Sequence, residues 1–226
     1  MTASARNNSA KSARTLDEAR LAILEAALPH VPFDGWTDRV IAEAAREAGV
    51  DAHQAATAFP GGAAEMIRLW CRQMNAAAEA RIRAADLQSM KIRARVRFGV
   101  DALLEEAGPN RIAVRRAAAV LALPQHAASG ARIIYEMADT VWRAIGDTST
   151  DFNFYSKRAI LSGVISSTMM FWFSDDSENY ADTRAFLDRR IADVMQIEKV
   201  KAAVSSVTSK LPDPLALLSR LRYPGR

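Results

Sequence analysis

The sequence predicts an all-α protein, and three observations carry that prediction. Of 226 residues, 50% are hydrophobic and 25% charged, the balance of a globular chain long enough for a sizeable core. Alanine is abundant, whereas the 10 glycines and 8 prolines are few and clustered, which favours helices throughout. Apolar residues recur at helical rather than alternating spacing.

Taken in order, residues 1–16 contain Arg6, Lys11 and Arg14 and no acid, and read as a disordered tail, with the remnant of a transit peptide as the alternative. A head over 17–62 follows. Its first helix, "DEARLAILEAAL", sets Ala19, Ile23, Ala26 and Ala27 on one stripe. The two prolines of "PHVPFDGW" stop that helix. Thr37 caps a second helix reaching about Ala48, which Gly49 ends. Asp51 caps a third that runs to Ala58, before "FPGG" breaks it, and a fourth begins near Ala63.

The body spans 63–208. Its later helices are expected near 111–122, 127–145, 152–173 and 180–208, joined by "LPQH", "GDTST" and "SDDSEN". "FNFYSKRAILSGVISSTMMFWF" is apolar on nearly all sides, as a helix central to a bundle would be. Ser162, Gly163, Ser166 and Ser167 keep part of it small, for close packing or for a guest.

The head resembles that of TetR-type regulators, in the stretch "GWTDRVIAEAAREAGVDAHQAATAF". Reading DNA requires cations for phosphates and side chains for base edges. His53 and Gln54 could touch bases, yet no Lys or Arg stands beside them. From Asp34 to Glu65 six acids face only Arg39 and Arg46, a net −4 over the piece that should meet a polyanion. The expectation is inherited architecture without nucleic acid as a partner.

Basic residues gather later, in "MKIRARVRFGV" and "NRIAVRRAAAV". They are solvated helix faces or, alternatively, attraction toward an acidic partner or lipid surface. Cys71 cannot form an internal disulfide and reads as a small buried apolar residue in a reducing compartment. His30, His53 and His126 lie far apart, with no second metal ligand at the right spacing. No nucleophile elbow, phosphate loop or dinucleotide fingerprint is present. The chain is therefore expected to hold no catalytic residues, metal or cofactor, and not to be an enzyme.

A further set of segments identifies a closer resemblance: "ILEAALPHVPFDGWT", "RRAAAVLALPQHAASGARIIYEMADTVWRAIGDTSTDFNFYSKRAIL", "SSTMMFW" and "FLDRRIADVMQIE". Together, from about residue 16 to 200, they resemble the lipid-binding accessory proteins of ubiquinone (coenzyme Q) biosynthesis. The resemblance implies a TetR-like helical bundle with a helix-turn-helix-like head, usually homodimeric and non-catalytic. Its members hold an isoprenoid lipid or quinone intermediate and present it to the diiron demethoxyubiquinone hydroxylase. The runner-up reading is a ligand-responsive transcriptional regulator of the TetR type.

The same resemblance places the hydroxylase-facing patch on Asp139, Trp142, Asp147, Asp151, Asn153, Phe154, Tyr155 and Arg158. Phe154 stands where a Trp is common, and Ile165 where a Tyr is common. Asp147, Thr148 or Asp151 could instead simply cap the next helix. Adjacent Phe154 and Tyr155 cannot both point inward, so one is expected to be exposed. For the lipid, the expected lining is Val164, Ile165, Thr168, Met169, Phe171 and Trp172, with Met195 from the last long helix. Plain core is the alternative for that set.

Residues 209–226, ending "LPDPLALLSRLRYPGR", form an amphipathic segment capped by Asp213. Leu215, Leu217, Leu218 and Leu221 share one face, with Arg220 and Arg222 at its edge. Docking on its own bundle is one reading; the resemblance favours a foot on the membrane. The expected location is the cytoplasm, peripheral to the inner membrane, or the matrix side in a mitochondrion. The short N-terminal stretch favours the bacterial case.

Overall fold

The computed structural model describes residues 15–150 and 152–208, without the side chains of Phe152, Met195 and residues 197–208. All its regular elements are helices. Two compact units divide the chain, residues 1–165 and 166–226, with the boundary inside one long helix. Of the expected tail over 1–16, residues 1–14 lie outside the described residues, whereas Thr15 and Leu16 cap and begin the first helix; the expected segment 209–226 also lies outside them.

The first unit begins with α1, Leu16–Ala27. Thr15 and Glu18 form a capping box, in which Thr15 Oγ1 accepts from the Glu18 amide and Glu18 Oε2 from the Thr15 amide. Ala19, Ile23, Leu24 and Ala27 make its buried face. Leu24 thus takes a place that the simple stripe assigned to Ala26.

The "PHVPFDGW" segment is not a plain loop. Residues Val31–Asp34 form a one-turn helix, α2, because Pro32 falls in its first turn, where a fixed φ and a missing N–H cost nothing. Gly35, at φ +76°, ends it. Trp36 then turns inward, donating Nε1–H to the Ala113 carbonyl at 3.0 Å and packing on Trp70.

Thr37 accepts from the Val40 amide to start α3, Asp38–Glu47, and Gly49 at φ +66° closes the turn after it. Asp51 accepts from the Gln54 amide to start α4, Ala52–Ala58. The helix-turn-helix geometry is therefore present. Next come α5 (Gly62–Ala84), α6 (Ile92–Ala107), a 3-10 turn at Gly108–Asn110, α7 (Arg111–Leu121) and α8 (Ala127–Ala144). Gly99 on α6 lets Val141 of α8 approach so closely that a Cβ there would lie 2.5 Å from Val141 Cγ1.

Many cations of the basic run are locally engaged. Arg97 pairs with Asp101, and Arg95 donates to the Met90 carbonyl. Cys71 is buried, and burial pushes its thiol up to about 12, so it is unreactive packing.

The long helix α9, Phe152–Trp172, departs from the expectation of burial on nearly all sides. Leu161, Val164, Ile165, Thr168 and Trp172 are buried, but Ala159, Gly163 and Met170 are exposed.

In the second unit, α10 (Ala181–Thr208) follows a tight turn in which Asn179 and Tyr180 have positive φ. Asp175 holds that turn. Its buried carboxylate accepts from the Ser177 amide and from the Thr183 amide and hydroxyl at 2.5–2.8 Å.

Candidate functional site

The loop between α8 and α9 turns at Gly146, whose φ is +89°. It brings acids from α8 and the loop against cations from α9. Arg158 is only 1% exposed. Its Nε donates to Asp139 Oδ1 at 2.6 Å, and its Nη1 to Asp147 Oδ2 at 3.3 Å and the Phe154 carbonyl at 3.0 Å. Lys157 Nζ donates to Asp147 Oδ1 at 2.7 Å and to Ser149 Oγ at 2.6 Å. Arg143 Nε reaches the other oxygen of Asp139 at 2.9 Å. Burial raises the pKa of Asp147, but hydrogen bonds from Lys157 and Ser149 outweigh it and hold the carboxyl below its ordinary value.

Trp142 spans the corner from the other side. Its indole N–H donates to the Lys157 carbonyl at 3.1 Å, and Lys157 Nζ lies 5.2 Å from the ring. Phe154 is half-buried beneath the Arg158 guanidinium and meets Tyr155 edge-on. Tyr155 is 65% exposed. The structure thus gathers Asp139, Trp142, Asp147, Phe154 and Arg158 into one corner and leaves Tyr155 and Asn153 at its surface. Arg158 lies beneath the patch rather than on it, because two carboxylates and a backbone carbonyl claim its donors. Asp147 serves these cations rather than acting as a helix cap. Asp151 lies outside the described residues.

Lys157, Ser149 and Arg143 were not anticipated from the sequence. The only available signal was "SKR", in which two neighbouring cations follow two spaced acids.

Of the expected lipid-lining set, Val164 and Ile165 are buried in the first unit, and Thr168 and Trp172 in the second. Met169 and Phe171 are half-buried. Phe171 stacks on Phe186 at 4.7 Å, and Trp172 meets Tyr180 edge-on. The Thr168 hydroxyl is fully buried without a hydrogen-bond partner. The Met195 side chain lies outside the described residues, as do Leu215, Leu217, Leu218, Leu221, Arg220 and Arg222.

In the head, a cleft of about 1000 Å³ lies beside α3 and α4, lined among others by Trp36, Ile41, Val50, Phe59 and Leu123. The amides opening α5 are already occupied. The Gly61 amide donates to Glu65 Oε2 at 2.9 Å, and that of Ala63 to Asp38 Oδ1 at 3.3 Å. A phosphate approaching this helix end would meet two carboxylates instead of free N–H groups.

Among the described residues no group of His, Cys, Asp and Glu could hold a metal ion, and no helix is long and apolar enough to cross a membrane.

Comparisons with known proteins include this part of the chain. Residues 127–198, which contain the α8–α9 corner, match the COQ9 family model. The chain is 32% identical over 197 residues to the mitochondrial ubiquinone biosynthesis protein COQ9 of Rattus norvegicus, covering 84% of this chain and 62% of that protein. It is 30% identical to the Homo sapiens protein of the same name, covering 84% and 61%. The chain thus spans about three fifths of the length of the curated relatives it matches. Among solved structures, a TetR transcriptional regulator from Nitrosomonas europaea superposes with a TM-score of 0.62 at 18% identity, covering 76% of this chain and 95% of that one, which shows the fold. Residues 127–198 therefore match the COQ9 model, and the chain is similar over most of its length to the COQ9 ubiquinone biosynthesis proteins, on a TetR-like all-helical fold.

Proposed function

We propose that this protein is a non-catalytic accessory factor of ubiquinone biosynthesis. It binds an isoprenoid quinone intermediate and presents it, at the membrane surface, to the diiron demethoxyubiquinone hydroxylase. The observation that carries this reading is the α8–α9 corner. There a set of mutually paired charges around the buried Arg158 supports one large exposed aromatic, Tyr155, inside the region matching the COQ9 model. An exposed tyrosine on a rigid support loses little conformational entropy on binding, which suits it to anchor a protein interface.

The lipid half of the reading is supported by α9. Its buried apolar residues include a threonine hydroxyl with no partner. A buried unpaired hydroxyl is costly, and a carbonyl or hydroxyl on a quinone head would satisfy it. The exposed flank of α9, with Ala159, Gly163 and Met170, supports a homodimer in which a second copy covers it. The acidic head supports a protein that does not use DNA, since Asp38 and Glu65 occupy the amides that a phosphate would need. The membrane foot is assigned to residues 209–226, and the site of action to the inner membrane surface.

Mass spectrometry of an organic extract of the purified full chain tests the proposal, beside an unrelated helical protein handled identically. A stoichiometric polyprenyl quinone or precursor is the expected result. An extract no richer than the control removes lipid presentation and leaves a protein scaffold.

A further inference from the structure

The outer face of α7 carries charge that the accessory role above does not use. The helix holds Arg111, Arg115 and Arg116 and no acid. Its inner face, Ala113, Val114 and Ala117, is buried. Ile112, Arg115, Arg116 and Ala119 therefore share the outer face, within an arc of about 100°. Ile112 is 57% exposed.

Beside them stands Phe33 of α2, 82% exposed. Its position is fixed from two sides. Arg116 Nη2 donates to the Phe33 carbonyl at 3.4 Å, and the indole of neighbouring Trp36 is bonded to the α7 backbone at Ala113. Phe33 is thus held outward by the fold.

Scattered exposed apolar residues are ordinary on protein surfaces. The company these two keep is less so. Among the described residues neither Arg115 nor Arg116 is in an ion pair, and the acid next to Phe33, Asp34, is taken by Arg39. The face therefore offers two large apolar side chains beside two guanidinium groups without an acid partner among the described residues, of which Arg116 also holds the Phe33 carbonyl. Arginine stems lie comfortably along apolar surface while their heads reach phosphates, and an aromatic and a branched aliphatic side chain enter the headgroup region.

We propose that the α2–α7 face docks on an anionic bilayer, with Phe33 and Ile112 entering the interface and Arg115 and Arg116 resting on lipid phosphates. This contact is separate from residues 209–226 and requires neither a bound lipid nor the hydroxylase.

The test uses the full chain with Ile112→Cys, labelled with an environment-sensitive fluorophore. Cys71 is buried and stays a thiol under mild conditions, so the label goes to position 112. Vesicles of phosphatidylcholine with one quarter phosphatidylserine are expected to shift the emission to the blue, whereas phosphatidylcholine alone does not. In the unlabelled chain, Phe33→Asp or Arg115→Glu is expected to weaken sedimentation with the anionic vesicles at least about fivefold, with the helical circular dichroism unchanged. A label that stays solvent-like while the vesicles carry the protein down would place the contact elsewhere and overturn the proposal. So would an absence of binding, equal binding by both variants, or a blue shift that follows protein concentration without vesicles.

Discussion

The Arg158 guanidinium carbon lies 3.4 Å from the centroid of the Phe154 ring, one helical turn back on α9. The same guanidinium donates to Asp139 and Asp147. One buried side chain therefore sets both the packing of α9 against α8 and the support on which Tyr155 stands.

Removing that charge should unfold the corner before it alters any surface group. Arg158→Met leaves two carboxylates with one cation fewer each. The expected loss is about 3 kcal/mol, the low end for a broken buried pair, because Lys157 and Arg143 remain. Arg158→Lys should recover little of it, since an ammonium cannot reproduce the planar fork. Thermal denaturation of the two variants decides the matter; a lysine variant as stable as the parent would contradict the geometric account.

Tyr155→Ala should behave in the opposite way. The side chain is mostly exposed, so stability is expected to change by no more than about 0.5 kcal/mol. On the function proposed above, affinity for the hydroxylase should fall about thirtyfold, as for an interface anchor. Titration of the two purified proteins measures it. Unchanged affinity in a folded variant would remove Tyr155 from the interface.

Gly99→Ala tests the α6–α8 crossing. The added methyl would lie 2.5 Å from Val141 Cγ1, and Val141 is fully buried, so something must shift to admit it. A cost of about 1–3 kcal/mol is expected, with a lower melting temperature. Adding Val141→Ala should return part of it, because the two substitutions share one contact. Strict additivity in the double variant would mean that the helices do not meet there.

Stability should be flat through mildly acidic pH and fall below about pH 4. Asp147 and Asp175 are both held below the ordinary carboxylate value of 3.8 by hydrogen bonds that outweigh their burial. Because the folded form binds the proton less readily than the unfolded chain, each contributes stability above that value and loses it as pH falls through its folded pKa. His30 has the reverse sign: its hydrogen bond to Glu47 raises its pKa, so its contribution is present below 6.5 and fades as pH rises past that raised value. Its exposure keeps that effect small. Melting temperatures across the acid range check the sign, and for Asp147→Asn the acid slope should be shallower.

Much of the fold was legible in the chain because helix ends are written locally. Thr37 and Asp51 cap the helices assigned to them, and Gly49 closes the turn between. Each of these is decided within four residues by hydrogen bonds to the backbone. The one-turn helix at Val31–Asp34 escaped because proline is read as a helix breaker, although it fits a first turn well.

The sequence by itself determined the all-helical class, the head's acidity and the choice that one of Phe154 and Tyr155 must face outward. Only the tertiary structure decided that Tyr155 is the exposed one, that Arg158 is buried beneath the patch, and that Lys157, Ser149 and Arg143 complete it. It alone showed that Asp38 reaches the start of α5 and that Phe33 stands outward beside α7. The physical reason is range. Caps, turns and periodicity are settled between neighbours in the chain, whereas the partner of a buried charge is chosen by whichever element folding brings against it.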